Sequence, residues 1–68
     1  MKNVTDKVAA ITGAASGIGR ALALALAQQG CHIALSDLDE KGLAETASLA
    51  SSYGVKVTTT TLNVADKD

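Results

Sequence analysis

Five stretches of apolar or β-branched residues run along the chain, separated by polar or glycine-marked breaks. The first, Val8-Ala9-Ala10-Ile11, is continuous between Lys7 and Thr12. It predicts a strand buried on both faces. The second, Ala21 to Ala27, alternates Ala and Leu. Alternation also suits a strand, but both residues are strong helix formers and the run is long for a strand. It predicts a helix from Gly17 to Gln29, closed by Gly30 in the left-handed conformation. Ile18, Leu22, Ala25 and Gln29 share one side of that helix, and Leu24 and Leu26 widen its apolar surface. Cover on more than one side is therefore expected. Cys31 to Leu35 reads as the second strand, ended by Ser36 and Asp37. A second helix starts from Asp39 as N-cap, with Leu38 and Leu43 spaced for a hydrophobic staple and Glu40 at the positive end. Leu43, Ala47 and Ala50 form its inner stripe, Glu45, Ser48 and Ser51 take wetter positions, and Gly54 ends it. Val55 to Leu62 is rich in β-branched residues and predicts a third strand. Asn63 to Asp68 is polar.

Strands alternating with helices predict an α/β fold on a parallel sheet. Two right-handed crossovers stepping the same way put both helices on one face and give the strand order 3-2-1. The other face is then bare. Val8, Ala10, Ile33 and Leu35 are among the residues that could line it, depending on register. The inner edge of the first strand is also open to pairing.

The first strand meets the first helix at Thr12-Gly13-Ala14-Ala15-Ser16-Gly17-Ile18-Gly19. Such a turn gathers free backbone N–H groups and the positive end of a helix dipole at one point, which suits a phosphate. Gly13 lets the chain leave the strand at an angle other residues resist. Gly17 leaves out a side chain where a diphosphate must approach, and Gly19 lets the helix pack close. Three glycines alone also fit a plain turn. Context adds weight, because Asp37 ends the next strand 18 positions after Gly19. A carboxylate there can accept hydrogen bonds from two ribose hydroxyls and repels a 2′-phosphate. No Gly-Lys-Ser/Thr closes the loop, so a P-loop NTPase is excluded.

Composition narrows the classes further. The chain has 68 residues and a net charge of -1, with no basic footprint for nucleic acid. Its length allows one small unit. Its one cysteine, Cys31, excludes an internal disulfide and fits a reducing compartment. The polar N-terminal residues do not read as a secretory signal, and no apolar run approaches the roughly 18 residues that span a membrane. A cytoplasmic protein is the expectation, without nucleic-acid or membrane partners. Cys31 reads as a small buried hydrophobe and His32 as a structural side chain at the strand start.

Thr12-Gly13-x-x-x-Gly17-Ile18-Gly19, with Lys7-Val8-Ala9-Ala10-Ile11 before it and Gly19-Arg20-Ala21 after it, resembles the cofactor loop of the short-chain dehydrogenase/reductase family. The resemblance runs from about Asp6 to Asp66 and covers the N-terminal quarter or so of a typical member. It implies a partial Rossmann fold and an NAD-dependent oxidoreductase. Such an enzyme moves a hydride between nicotinamide and an alcohol or carbonyl carbon. Residues 1–68 would be the N-terminal half of the NAD-binding domain, within a longer enzyme that is a homo-oligomer. The cofactor residues implied are Gly13, Ser16, Gly17, Ile18, Gly19, Asp37, Leu38, Asn63 and Val64. Ser16 and the Ile18 N–H would face the phosphates. In the family an acid at Asp37 goes with NAD, whereas NADP-preferring members often carry a basic residue at the positions of Leu38 or Ser16. NADP is therefore the less expected cofactor. Arg20, in the first turn of the helix, is the one dissent, since it could touch a phosphate or simply be solvated. Asn63 stands where the family commonly has Asp beside the adenine; it keeps a carbonyl acceptor and loses the charge.

The family's proton-transfer group is a Tyr-x-x-x-Lys pair with a nearby Ser. The one tyrosine here, Tyr53, has Val57 four positions on, and no Asn-Asn-Ala-Gly segment is present. No catalytic residue and no metal site is expected in these residues, which should be inactive alone. The alternative is a self-contained, non-catalytic dinucleotide-binding or interaction module. The bare sheet face separates the two, since it predicts that the chain by itself is marginal or oligomeric.

Overall fold

The computed structural model describes residues 5–62. They form β1 (Val8–Thr12), α1 (Gly17–Gln28), β2 (His32–Asp37), α2 (Glu40–Ser51) and β3 (Val57–Thr61). The three strands make one parallel sheet in the order β1-β2-β3, which is the expected 3-2-1 order read from the other edge. Among the described residues no helix is long and apolar enough to cross a membrane.

Register decides which side chains meet the helices. Ala9 pairs with Ile33 and Ile11 with Leu35, while Val8 pairs with His32 and Ala10 with Ala34. Paired residues of a parallel sheet point the same way, so the sheet sorts into two unlike faces. Ile11, Ile33 and Leu35 are buried with Leu43 and Ala50 beneath the helices. Val8 and Ala10 lie on the other face, where Val8 is 70% exposed. This corrects the expectation that Ile33 and Leu35 could share the bare face, and that β1 is covered on both sides. The pairing runs from residue 9 to residue 33, so Val8 and Ala10 have opposite parity to those two.

The seating of α1 also differs from the stripe expected. Ala23 and Ala27 are buried, with Leu24 and Leu26 partly covered beside them. Ile18, Leu22 and Ala25 face outward. The ground beneath the helix is already filled by Ile11, Ile33 and Leu35, and methyl groups fit that shallow space where leucines would not. At its end Gly30, with φ of 85°, donates to the Ala27 carbonyl, and Cys31 donates to the Leu26 carbonyl. These two bonds form a Schellman cap. Cys31 is buried, and His32 Nδ1 accepts the Lys56 N–H at 3.0 Å, tying β2 to the approach of β3. Both residues serve structure, as expected.

In α2, Asp39 Oδ1 accepts the Gly42 N–H at 3.1 Å, the N-cap its position called for. Leu43 and Ala50 are buried and Ala47 is half-buried, and Thr46 joins them with no exposed surface. Leu38 stays 59% exposed, so it is not drawn down onto Leu43 as a staple. Asp39→Ala should lower unfolding stability by about 1 kcal/mol, the usual worth of such a cap. A denaturant titration of the full-length protein checks it, and an unmoved midpoint would refute the cap's contribution.

Candidate functional site

The loop between β1 and α1 is shaped by backbone requirements that its glycines meet. Gly13 and Gly17 have φ of 68° and 62°, in the left-handed region that side chains disfavour. Gly19 is under a different constraint. A Cβ there would strike the Gly13 carbonyl oxygen and stand 2.7 Å from the Gly13 carbonyl carbon. The helix can therefore start against the strand exit only if residue 19 has no side chain. The Ala14 N–H donates to the Ser36 carbonyl at 3.2 Å, which lashes the loop to the end of β2.

This shaping leaves the positive end of α1 open. Ala14 and Ala15 are buried, whereas Gly13, Ser16, Gly17 and Ile18 are exposed. Ser16 is the N-cap residue but its side chain caps no N–H, and the first turn holds no acidic residue. The first-turn N–H groups thus keep their capacity for an outside acceptor. Among the described residues no enclosed pocket forms, and the loop is a shelf at the edge of the sheet.

Asp37 stands beside that shelf. Its Oδ2 accepts the Ala15 N–H at 2.9 Å and its Oδ1 accepts the Asp39 N–H at 2.9 Å. The Asp39 N–H, and after it the Ala15 N–H, hold the carboxyl below the ordinary aspartate range against a smaller effect of burial. The group is therefore ionised at neutral pH. Each oxygen keeps lone-pair capacity beyond the bond it already accepts. Because the folded-state value is lowered, the stabilisation is complete above the unfolded value of about 3.9 and is lost as pH falls through the lower folded value. Whatever this carboxylate binds should hold its affinity from pH 7 down to about pH 4.5. A binding titration in that range checks this, and a midpoint above about pH 5 would contradict it.

Gly13, Ser16, Gly17, Ile18, Gly19 and Asp37 thus come together at one edge, with exposed Leu38 next to the carboxylate. Asn63 and Val64 lie outside the described residues. Arg20 departs from both sequence readings, as its half-buried side chain is bound to α2 rather than left to solvent or aimed at the shelf. Its Nε donates to Thr46 Oγ1 at 2.7 Å, and Nη2 donates to the Gly42 carbonyl at 3.0 Å and to Glu45 Oε1 at 3.2 Å. It ties α1 to α2. Tyr53 sits at the C-terminal ends of the helices, away from the loop, where its hydroxyl accepts from Gln28 Nε2 at 3.0 Å. Sequence reasoning missed Ala15 and Thr46. The one signal for Thr46 was a polar residue three positions after Leu43 on the buried stripe.

Residues 7–68 match the family model described as short chain dehydrogenase. The chain belongs to the short-chain dehydrogenase family. It is 50% identical over 68 residues to the oxidoreductase-named protein SadH of Mycobacterium tuberculosis, covering all of this chain and 25% of SadH. Among solved structures, NAD+-bound xylitol dehydrogenase superimposes with a TM-score of 0.87 at 34% identity, over 96% of this chain and 25% of that one. L-sorbose reductase from Gluconobacter frateurii, solved with NADPH and L-sorbose, gives 0.85 at 38% identity, over 94% and 25%. The chain therefore spans about a quarter of the length of these relatives. One of these structures holds NAD and another NADPH, so a nicotinamide dinucleotide is the cofactor type common to them.

Proposed function

We propose that this chain is the N-terminal, adenosine- and diphosphate-holding part of an NAD-dependent short-chain oxidoreductase. The observation that carries the reading is the ionised Asp37 carboxylate beside an uncapped helix start. A dinucleotide fits these residues. The N–H groups at the helix start, those of the N-cap Ser16 and of Gly17 and Ile18, would take the diphosphate, with Gly13, Gly17 and Gly19 keeping side chains out of its way. Asp37 would take the two adenosine ribose hydroxyls, with Leu38 beside it. Asn63 and Val64 are assigned to the adenine. The chemistry supplied by the bound cofactor is hydride transfer between nicotinamide and an alcohol or carbonyl carbon.

NAD is favoured over NADP on charge. A 2′-phosphate would meet the Asp37 carboxylate, the adjoining Leu38 and Ser16 are neutral, and Arg20 is engaged by Thr46, Gly42 and Glu45. These residues bind and orient, and by themselves turn over no substrate, because Tyr53 lacks a lysine partner four positions on. The single buried cysteine suits a reducing compartment, and cytoplasm is the location proposed. Separate titrations of NAD and NADP against the full-length protein test the reading, and tighter NADP binding overturns it.

A further inference from the structure

The side-chain hydrogen bonds of Thr46 go to Arg20, Ala15 and Gly42 and to none of the residues proposed to meet the cofactor, and it has no exposed surface. Its Oγ1 accepts the Arg20 Nε–H at 2.7 Å and lies 3.2 Å from the Gly42 carbonyl oxygen and 3.5 Å from the Ala15 carbonyl oxygen. One hydroxyl proton serves those two carbonyls. Donation from a charged guanidinium polarises the hydroxyl and strengthens what it donates in turn. Arg20 is itself fixed by the Gly42 carbonyl and the Glu45 carboxylate. A Cβ on Gly42 would stand 2.9 Å from the Ala15 Cβ, so α2 lies directly on Ala15. On its other side the Ala15 N–H donates to Asp37 Oδ2. Ala15 is held by α2 through its carbonyl and methyl, and by the end of β2 through its N–H.

The geometry points to Thr46 and Arg20 as positioning residues for cofactor selection, which fix the direction of the Asp37 carboxylate by fixing the backbone on both sides of the Ala15 Cα, its carbonyl on α2 and its N–H on Asp37. This rests on the reading of Asp37 as the group that meets the adenosine ribose. Their influence passes through one residue, Ala15, and not through the cofactor. A carboxylate that loses its Ala15 partner turns more freely. It then grips two hydroxyls less well, because the ordering that the fold supplied must be supplied on binding. It also opposes a 2′-phosphate less.

The test uses the full-length protein. Thr46→Val removes the hydroxyl and keeps the shape, while Thr46→Ser keeps the hydroxyl and loses a methyl. Dissociation constants for NAD and NADP are measured beside the melting temperature. Thr46→Val should weaken NAD roughly fivefold, about the worth of one hydrogen bond, with little change for NADP. Thr46→Ser should keep the wild-type NAD:NADP ratio even if it melts lower, which a purely structural role does not predict. Asp37→Asn completes a cycle, in which Thr46→Val should have a smaller effect on the Asp37→Asn background than alone. Should Thr46→Val fail to fold, Arg20→Gln leaves the hydroxyl in place and carries the same comparison. An unchanged ratio in these variants, or strictly additive effects in the cycle, overturns the proposal. NAD binding indifferent to Asp37→Asn instead overturns the role of Asp37 itself, and the positioning role with it.

Discussion

Gly19→Ala should lower the stability of the full-length protein by about 3 kcal/mol or more, and cofactor binding should go with it. The reason is steric and local. The new methyl would strike the Gly13 carbonyl oxygen, a backbone atom that cannot rotate out of the way. Relief requires either α1 to slide off the sheet or the loop to reopen, and both disturb the N–H groups at the helix start. Gly17→Ala is the informative contrast. Its Cβ would find nothing within 4 Å, so the strain there is only that of a left-handed φ, about 1–2 kcal/mol. If that open space is where a diphosphate sits, Gly17→Ala should harm binding more than folding, and Gly19→Ala both together. Thermal melts with and without NAD separate the two. An unshifted melting temperature for Gly19→Ala would refute the packing argument.

If Asp37 meets the adenosine ribose as proposed, Asp37→Ala should weaken NAD roughly a hundredfold, from the loss of two charge-assisted hydrogen bonds. NADP should weaken far less, because the same substitution removes the repulsion of its 2′-phosphate. Some of the NAD loss will be indirect. The Ala15 and Asp39 N–H groups both lose their acceptor, and Ala15 belongs to the loop. Asp37→Asn separates these contributions, since it keeps a carbonyl acceptor for one N–H and removes the charge. Equal losses for NAD and NADP in both variants would mean that Asp37 acts on loop shape and not on the choice of cofactor.

The elements were legible because their borders carry strong local chemistry. Gly13, Gly17, Gly30 and Gly54 all adopt positive φ where the sequence placed turns or helix ends. Asp39 caps the helix it was expected to cap. What lay beyond reach was which face each element turns inward. An Ala-Leu alternation over Ala21 to Ala27 offers no unique stripe, and the fold chose Ala23 and Ala27 over Leu22. Strand parity posed the same problem, because a one-residue offset between β1 and β2 exchanges the bare and covered faces. The loop and Asp37 could be expected at one place because both flank strand ends that a parallel sheet brings side by side. The Arg20 and Thr46 contact joins residues 26 positions apart on two helices, and no local pattern encodes it.

The two alanines that seat α1 act as a gauge of height. With Ala23 and Ala27 as its buried residues, α1 sits close enough to the strand exit for Gly19 to meet the Gly13 carbonyl. A bulkier residue at Ala23, one turn further along, would work like a wedge under a beam. It would tilt the amide-bearing tip of α1 without touching the loop. The depth of the shelf is thus set partly from inside the core, by side chains outside the loop.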